Sequence, residues 1–361
     1  MTPPKDLSRR DFLKLAAAGA AGLAFSPYLS PRAVTPLPDY PLDTRLGRVT
    51  RGKWELKARP DSDSRTVGTA MDDTVLPWLR EVVGNYSPFR INRRWVETPE
   101  GYIWAAYFQP VWNRPNQPVA ELPQTSMGRG MWVEVTVPYV DGRIVNAPPL
   151  HAFFKWRYER GLPLRFYHSQ ILWVDDMRTA SDGRVLYRVN ELYGNKGDVL
   201  WSDARAFRQI LPEEITPISP EVENKRIVAY RDVNRQYLSC FEDEREVYFC
   251  RISTGRTQEN TPLGQFRIYR KLISLHMGGT AVQGIDVVGV GWTCLFTGDG
   301  VAIHSTHWHN NFGEPESAGC INVNQEDAKW IFRWTMPRVE YDPGDRTVTD
   351  FSGTRVIVRQ S

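Results

Sequence analysis

Between residues 47 and 305 the chain is built mostly of short runs in which β-branched or aromatic residues alternate with polar ones, broken by Pro, Gly and Asp. A period of two puts alternate side chains on one face of a strand, and the breakers end each run. RVTRGKWELKARPDSDSRTVGTA and RRWVETPEGYIWAAYFQPV show this first. A middle segment with WVEVTVPYV, APPLHAFFKWRYERGL, RVLYRVNELYG and GDVLWSDARAFRQI follows, closed by the Pro-rich hinge ITPISPEVENK. From Lys225 the pattern is denser. RIVAYRDVNRQYLSCFEDEREVYFCRISTG reads as three strands, the last two joined by a charged turn at Glu242 to Arg245. NTPLGQFRIYRK adds a Pro-Leu-Gly turn and a strand, with further strands at VVGVGWTCLFT, GVAIHST and GTRVIV. Helical spacing enters after Cys320, where Ala328, Ile331 and Phe332 recur in NQEDAKWIFRW and Asn324 is placed to cap. The expected class is mostly β: a C-terminal β-rich domain with a short helix, preceded by one or two small β modules. The expected divisions are a Pro-rich linker at 34–46, a small β-barrel module at 47–112, a middle module and hinge at 113–222, and the C-terminal domain at 223–361.

Composition narrows the classes further. With 361 residues, 41% hydrophobic and 12% aromatic, the chain can bury a core and form two or three domains. A formal net charge of +3, from 45 basic and 42 acidic residues, creates no field that argues for nucleic acid. Four cysteines are too few to staple a fold of this size. At the N-terminus, Ser8-Arg9-Arg10-Asp11-Phe12-Leu13-Lys14 precedes the mild apolar run LAAAGAAGLAF. This resembles a bacterial twin-arginine export signal, which assigns 1–33 to targeting and the rest to an extracytoplasmic space, cell wall or periplasm. The run falls short of the ~20 apolar residues of a membrane span. Pro31-Arg32-Ala33 is a poor cleavage site, so membrane contact through an uncleaved anchor stays open.

The window IHSTHWHNNFGEPESAGCIN, residues 303 to 322, holds the candidate chemistry, and three readings compete for it. His304, His307, His309 and Cys320 are all types that zinc accepts. Against that, His304 ends a strand and should face away from His307, and no second cysteine or carboxylate stands at ligand spacing. Cys240, Cys250 and Cys294 lie within strand patterns and read as buried small hydrophobes, the ordinary role of a free cysteine. Cys320 differs, because Ser317-Ala318-Gly319 before it is a small-residue turn that lets backbone N–H groups converge near the sulfur. The nucleophile reading uses all of this: a thiol needs a base, supplied by His304, and oxyanion donors, supplied by the N–H groups of Gly319 and Cys320. Ser305 or a neighbouring carbonyl would orient the imidazole. No metal ligands and no cofactor are assigned, and His151 and His168, each beside aromatic residues, read as packing.

These residues resemble the catalytic motif of bacterial L,D-transpeptidases: a histidine, a spacer, then Ser/Thr-His-Gly-Cys-x-Asn/Arg. Here the motif runs from His304 to Ser317-Ala318-Gly319-Cys320-Ile321-Asn322. Ser253-Thr254-Gly255, Thr261-Pro262-Leu263-Gly264-Gln265-Phe266, Gly291-Trp292 and Asp327-Ala328 add matches, so the resemblance covers roughly Lys225 to Val358. It implies a β-rich catalytic domain acting on peptidoglycan stem peptides, with Cys320 as nucleophile and His304 as base. Ser305 would orient His304, and Gly319 with Cys320 would form the oxyanion hole. Ser317 belongs to the substrate-side loop, and Asn322 pins that loop or touches the stem peptide. Trp308 and His309 would line the donor groove, with Met277 and Trp292 beside them. The family usually has histidine where this chain has Ala318, and the loss of that side chain is the feature that favours a wall-binding protein with an impaired site. ELKARPDSDSRTVG and GYIWAAYF resemble parts of the bacterial Src-homology-type barrel of wall enzymes, which implies contact with wall glycan.

Overall fold

The computed structural model describes residues 34–86, 90–191, 197–257, 260–278 and 286–360; the export motif lies outside them. The chain is mostly β. Residues 45–112 form a three-stranded sheet around Arg45–Val49 and a five-stranded sheet containing Lys53–Lys57 and Arg94–Thr98. Residues 131–209 form one antiparallel seven-stranded sheet. Its segment also contains a helix, Ala152–Glu159, which the sequence pattern does not show. The reason is local: only Phe154 and Arg157 of this helix are buried, so no apolar stripe repeats at helical spacing.

The C-terminal part consists of two five-stranded sheets. In one, Arg245–Arg251, Arg235–Glu242, Lys225–Asp232, Arg355–Arg359 and Gly264–Arg267 lie side by side. In the other the order is Ile321–Val323, Ala302–Ser305, Asp286–Leu295, Arg270–Gly278 and Asp345–Thr347. The helix Gln325–Trp334 starts where Asn324 Oδ1 accepts from the Asp327 N–H at 2.8 Å, and Glu326 and Asp327 complement the positive end of its dipole. Its buried face of Ala328, Ile331, Phe332 and Trp334 enters a core shared with both sheets, which also takes Ile227, Leu238, Ile303, Ile321 and Val356. Among the described residues no helix is long and apolar enough to cross a membrane.

Candidate active site

Ala302–Ser305 and Ile321–Val323 pair in parallel, with His304 opposite Asn322 and Ile303 opposite Ile321. Parallel neighbours need a long connection, and residues 306–320 are that connection. Alternation then sorts the side chains. Ile303 and Ile321 point into the core, while Ala302, His304, Cys320 and Asn322 share the other face. On that face Cys320 and Ala302 pack with Leu272, Met277, Val290 and Leu295, with Trp308 against the cluster.

Cys320 is 9% exposed, and its thiol points toward the Gly300 carbonyl at 3.8 Å. Burial pushes the thiol up to about 11, partly opposed by the Ala302 backbone N–H. His304 is fully buried and pushed down to about 4 by that burial, so the ring is neutral near pH 7. Its Nδ1 donates to the Ser305 carbonyl at 2.7 Å, which leaves the lone pair on Nε2, and Nε2 has no hydrogen-bond partner. Ser305 thus orients the imidazole through its backbone oxygen. No hydrogen bond joins Nε2 to Cys320 in this arrangement.

The turn before the cysteine is held from below. The Ser317 hydroxyl donates to the Cys320 carbonyl at 2.6 Å and accepts the Gly319 N–H at 3.0 Å. The expectation that Gly319 lends its N–H to an oxyanion therefore meets a correction, because that donor is already held by Ser317. Thr261 Oγ1 donates to the Gly319 carbonyl at 2.6 Å and accepts the Gly255 N–H at 2.9 Å. A trans peptide points its C=O and N–H in opposite directions, so fixing the Gly319 carbonyl on Thr261 turns the Cys320 N–H away from Thr261. A Cβ on Gly319 would sit 2.8 Å from the Asn260 carbonyl oxygen, which makes glycine the residue that fits here. Ala318 is exposed.

The other expected positions divide. Met277 lies in the cluster around Cys320, and Trp308 sits 5.8 Å from the His304 ring, centroid to centroid. His309 is buried at 1% exposure; its Nδ1 accepts the Asn311 N–H at 3.1 Å, and its Nε2 lies 2.9 Å from the Asn322 side-chain amide. His309 and Asn322 thus lock the loop to the strand. Trp292 is a correction: it lies in the core under the helix, 5.3 Å from Phe332, away from the Cys320 face. Positive φ at Gly289 and at Trp292 breaks the alternation of that strand, so Val290 faces the site and Trp292 does not. His307 stacks on Tyr167 at 5.9 Å, and the histidines of this loop do not gather around Cys320.

Sequence reading missed the partners that brace the loop from the N-terminal module. Arg48 donates to the His307 carbonyl at 2.9 Å, the Asn310 N–H to the Ala106 carbonyl at 2.6 Å, and the Asn92 N–H to Glu314 at 2.7 Å. Glu316, next to Ser317, accepts from Arg51 at 2.5 Å, Tyr107 at 2.8 Å, Arg256 at 3.1 Å and Asn311 at 3.2 Å. Most of these contacts join residues more than 200 positions apart, so although Arg48, Arg51 and Tyr107 lie in strand-like stretches, nothing in the local pattern pairs them with the loop.

Residues 225–358 match the family model of the L,D-transpeptidase catalytic domain (YkuD), and residues 6–26 match that of the twin-arginine translocation signal sequence. No curated protein matches the chain. Among solved structures, similarity extends to a mutant L,D-transpeptidase of Enterococcus faecium at 20% identity, covering 39% of this chain and 51% of that one with a TM-score of 0.30. An L,D-transpeptidase fragment from Xylanimonas cellulosilytica is 24% identical over 40% of this chain and 63% of that one, TM-score 0.28. One from Mycobacterium smegmatis is 15% identical over 52% of this chain and 99% of that one, TM-score 0.29. The chain spans about half the length of the first of these.

Proposed function

With an L,D-transpeptidase catalytic domain at residues 225–358 behind a twin-arginine export signal, we propose that this exported protein is a cysteine acyltransferase that cross-links peptidoglycan stem peptides. The observation that carries the reading is the pairing of two strands: it sets His304, with a free and unprotonated Nε2, on the same face as Cys320.

Rotation of the thiol from Gly300 toward His304 lets Nε2 take the proton as sulfur attacks the carbonyl carbon of the third stem residue. The Cys320 N–H, oriented by the Thr261–Gly319 bond, takes the developing oxyanion. The C–N bond to the terminal D-Ala breaks, the His304 imidazolium returns the proton to the leaving amine, and a thioester remains on Cys320. A side-chain amine of a neighbouring stem then attacks the thioester carbon and gives up a proton to His304; the thiol is released and a 3,3 cross-link forms. Water in place of the amine gives L,D-carboxypeptidase activity. Neutral thiol and neutral imidazole at rest fit a base that acts only when substrate excludes water and aligns the pair.

A second reading, a wall-binding protein with a silent thiol, is favoured by Ala318 and by the deep burial of Cys320. One incubation separates the two. Stem tetrapeptide with the full chain should lose D-Ala and show an acyl adduct by intact mass, and Cys320→Ser should show neither while keeping its fold. Absence of adduct and of D-Ala release from the wild type would favour the silent thiol.

A further inference from the structure

Away from Cys320, a second cluster joins the middle module to the catalytic domain. His151, at the N-cap of the helix Ala152–Glu159, His276, on the strand Arg270–Gly278, and Asp286, at the head of the next strand, converge so that one donor atom of each lies within 4.8 Å of the others. Asp286 Oδ1 is 2.6 Å from His276 Nε2 and 3.3 Å from His151 Nδ1. The imidazoles stack with centroids 3.8 Å apart. The His151 side chain is 1% exposed and that of His276 8%. His151 Nε2 and His276 Nδ1 have no hydrogen-bond partner, and His151 Nδ1 meets only the Asp286 carboxylate that His276 also contacts.

A buried polar atom without a partner costs ~1–3 kcal/mol, so a packing role leaves this cluster poorly compensated. Two imidazoles and a carboxylate from three separate segments are, in contrast, a donor set that a divalent transition metal takes readily. We propose that His151 Nδ1, His276 Nε2 and Asp286 Oδ1 bind a divalent transition metal, zinc above all, and pin the middle module to the catalytic domain.

The surroundings fit such a site. With Nδ1 of His151 turned to the metal, its Nε2–H faces Asp198 Oδ2 at 3.9 Å, a buried carboxylate that also accepts the Leu150 N–H at 2.8 Å and the His151 N–H at 3.1 Å. At 3.9 Å that carboxylate makes no hydrogen bond to the ring, but its charge favours the proton on Nε2 and so leaves Nδ1 as the lone-pair atom. Asp286 is steadied in turn, because its other oxygen accepts the Ala152 N–H. Zinc with ligand bonds of ~2.0–2.1 Å spaces its donors ~3.3 Å apart, so the His276–Asp286 contact opens by under an ångström as the metal displaces a shared proton. His151 and Asp286 also line a cavity of about 170 Å³ that reaches Trp308 beside the Cys320 cluster, which leaves room for water or a substrate carboxylate at the fourth position.

The test uses the folded full-length protein, stripped with a chelator and dialysed against micromolar zinc. One zinc per chain and a raised unfolding temperature are expected, with both effects lost in His276→Ala and Asp286→Asn. Cobalt(II) added to the stripped wild type should give visible d–d bands of a low-coordinate site, a readout that needs no variant. Substoichiometric metal in the wild type without those bands, or variants that bind zinc as the wild type does, would overturn the proposal. Acylation of Cys320 by a carbapenem, followed in parallel, reports the catalytic reading separately.

Discussion

Thr261→Val removes one hydroxyl and keeps the shape of the side chain, so it isolates what that hydroxyl does. Thr261 is 1% exposed and bridges the Gly255 N–H, at 2.9 Å, to the Gly319 carbonyl, at 2.6 Å. The substitution leaves one buried donor and one buried acceptor unpaired, each worth ~1–3 kcal/mol, and partial relaxation of the loop brings the expected loss of stability to about 2–4 kcal/mol. The effect on chemistry has another origin. Without its bond the Gly319–Cys320 peptide can rotate, and the Cys320 N–H no longer points where the oxyanion forms. Loss of one such donor costs ~100- to 1000-fold in rate. The assay is the rate of carbapenem acylation at Cys320 by intact mass, measured well below the unfolding temperature of the variant. Thr261→Val should acylate at least ~100-fold more slowly by that argument, while Thr261→Ser, which restores the hydroxyl, should recover most of the rate. Wild-type acylation by Thr261→Val, or a Thr261→Ser as slow as Thr261→Val, would show that the orientation of this peptide does not govern the site.

Three more outcomes can be checked independently. Alkylation of Cys320 by iodoacetamide should rise ~10-fold per pH unit between pH 7 and 10, since burial holds the thiol near about 11; a plateau already at neutral pH would reveal a thiolate–imidazolium pair at rest. Stability should fall as pH drops below 6.5: unfolded histidines bind protons there, whereas His304 waits until about 4, His309 until about 3, and His307 is also held well below its usual value. His168 is also held down, to about 3, and four such groups give a slope of at most about 5 kcal/mol per pH unit, so acid unfolding followed by tryptophan fluorescence should begin near pH 5, and a fold still intact at pH 4 would contradict their neutral burial. Glu316→Gln should lower the unfolding temperature by several degrees and speed alkylation of Cys320, because Arg51, Tyr107 and Arg256 no longer hold the loop to a buried charge; unchanged melting and unchanged alkylation would remove the N-terminal module from any part in bracing the site.

Local pattern alone determined the strand-rich class, the three strands from Lys225, the helix capped by Asn324, and the presence of His304 and Cys320 on either side of a long loop. Alternation, capping chemistry and a small-residue turn are properties of neighbours in sequence, so they can be read there. What the tertiary structure decided depends on pairs far apart in the chain. The parallel register of Ile303 with Ile321 sets His304 and Cys320 on one face, and no pattern within either strand contains that register. Trp292 left the expected face because positive backbone angles interrupted the period of two. Ala152–Glu159 was invisible because a helix with two buried residues has no stripe. The nearness of His151 to His276 and Asp286 was invisible because these lie more than 120 residues away, on strands of another sheet. Glu316 needed Arg51 and Tyr107 from the first module, and Gly319 needed the Thr261 hydroxyl, to become parts of a site. Burial supplied the rest: the free energy of removing charge from water sets the ionisation of Cys320 and His304, and burial exists only once the chain has closed around them.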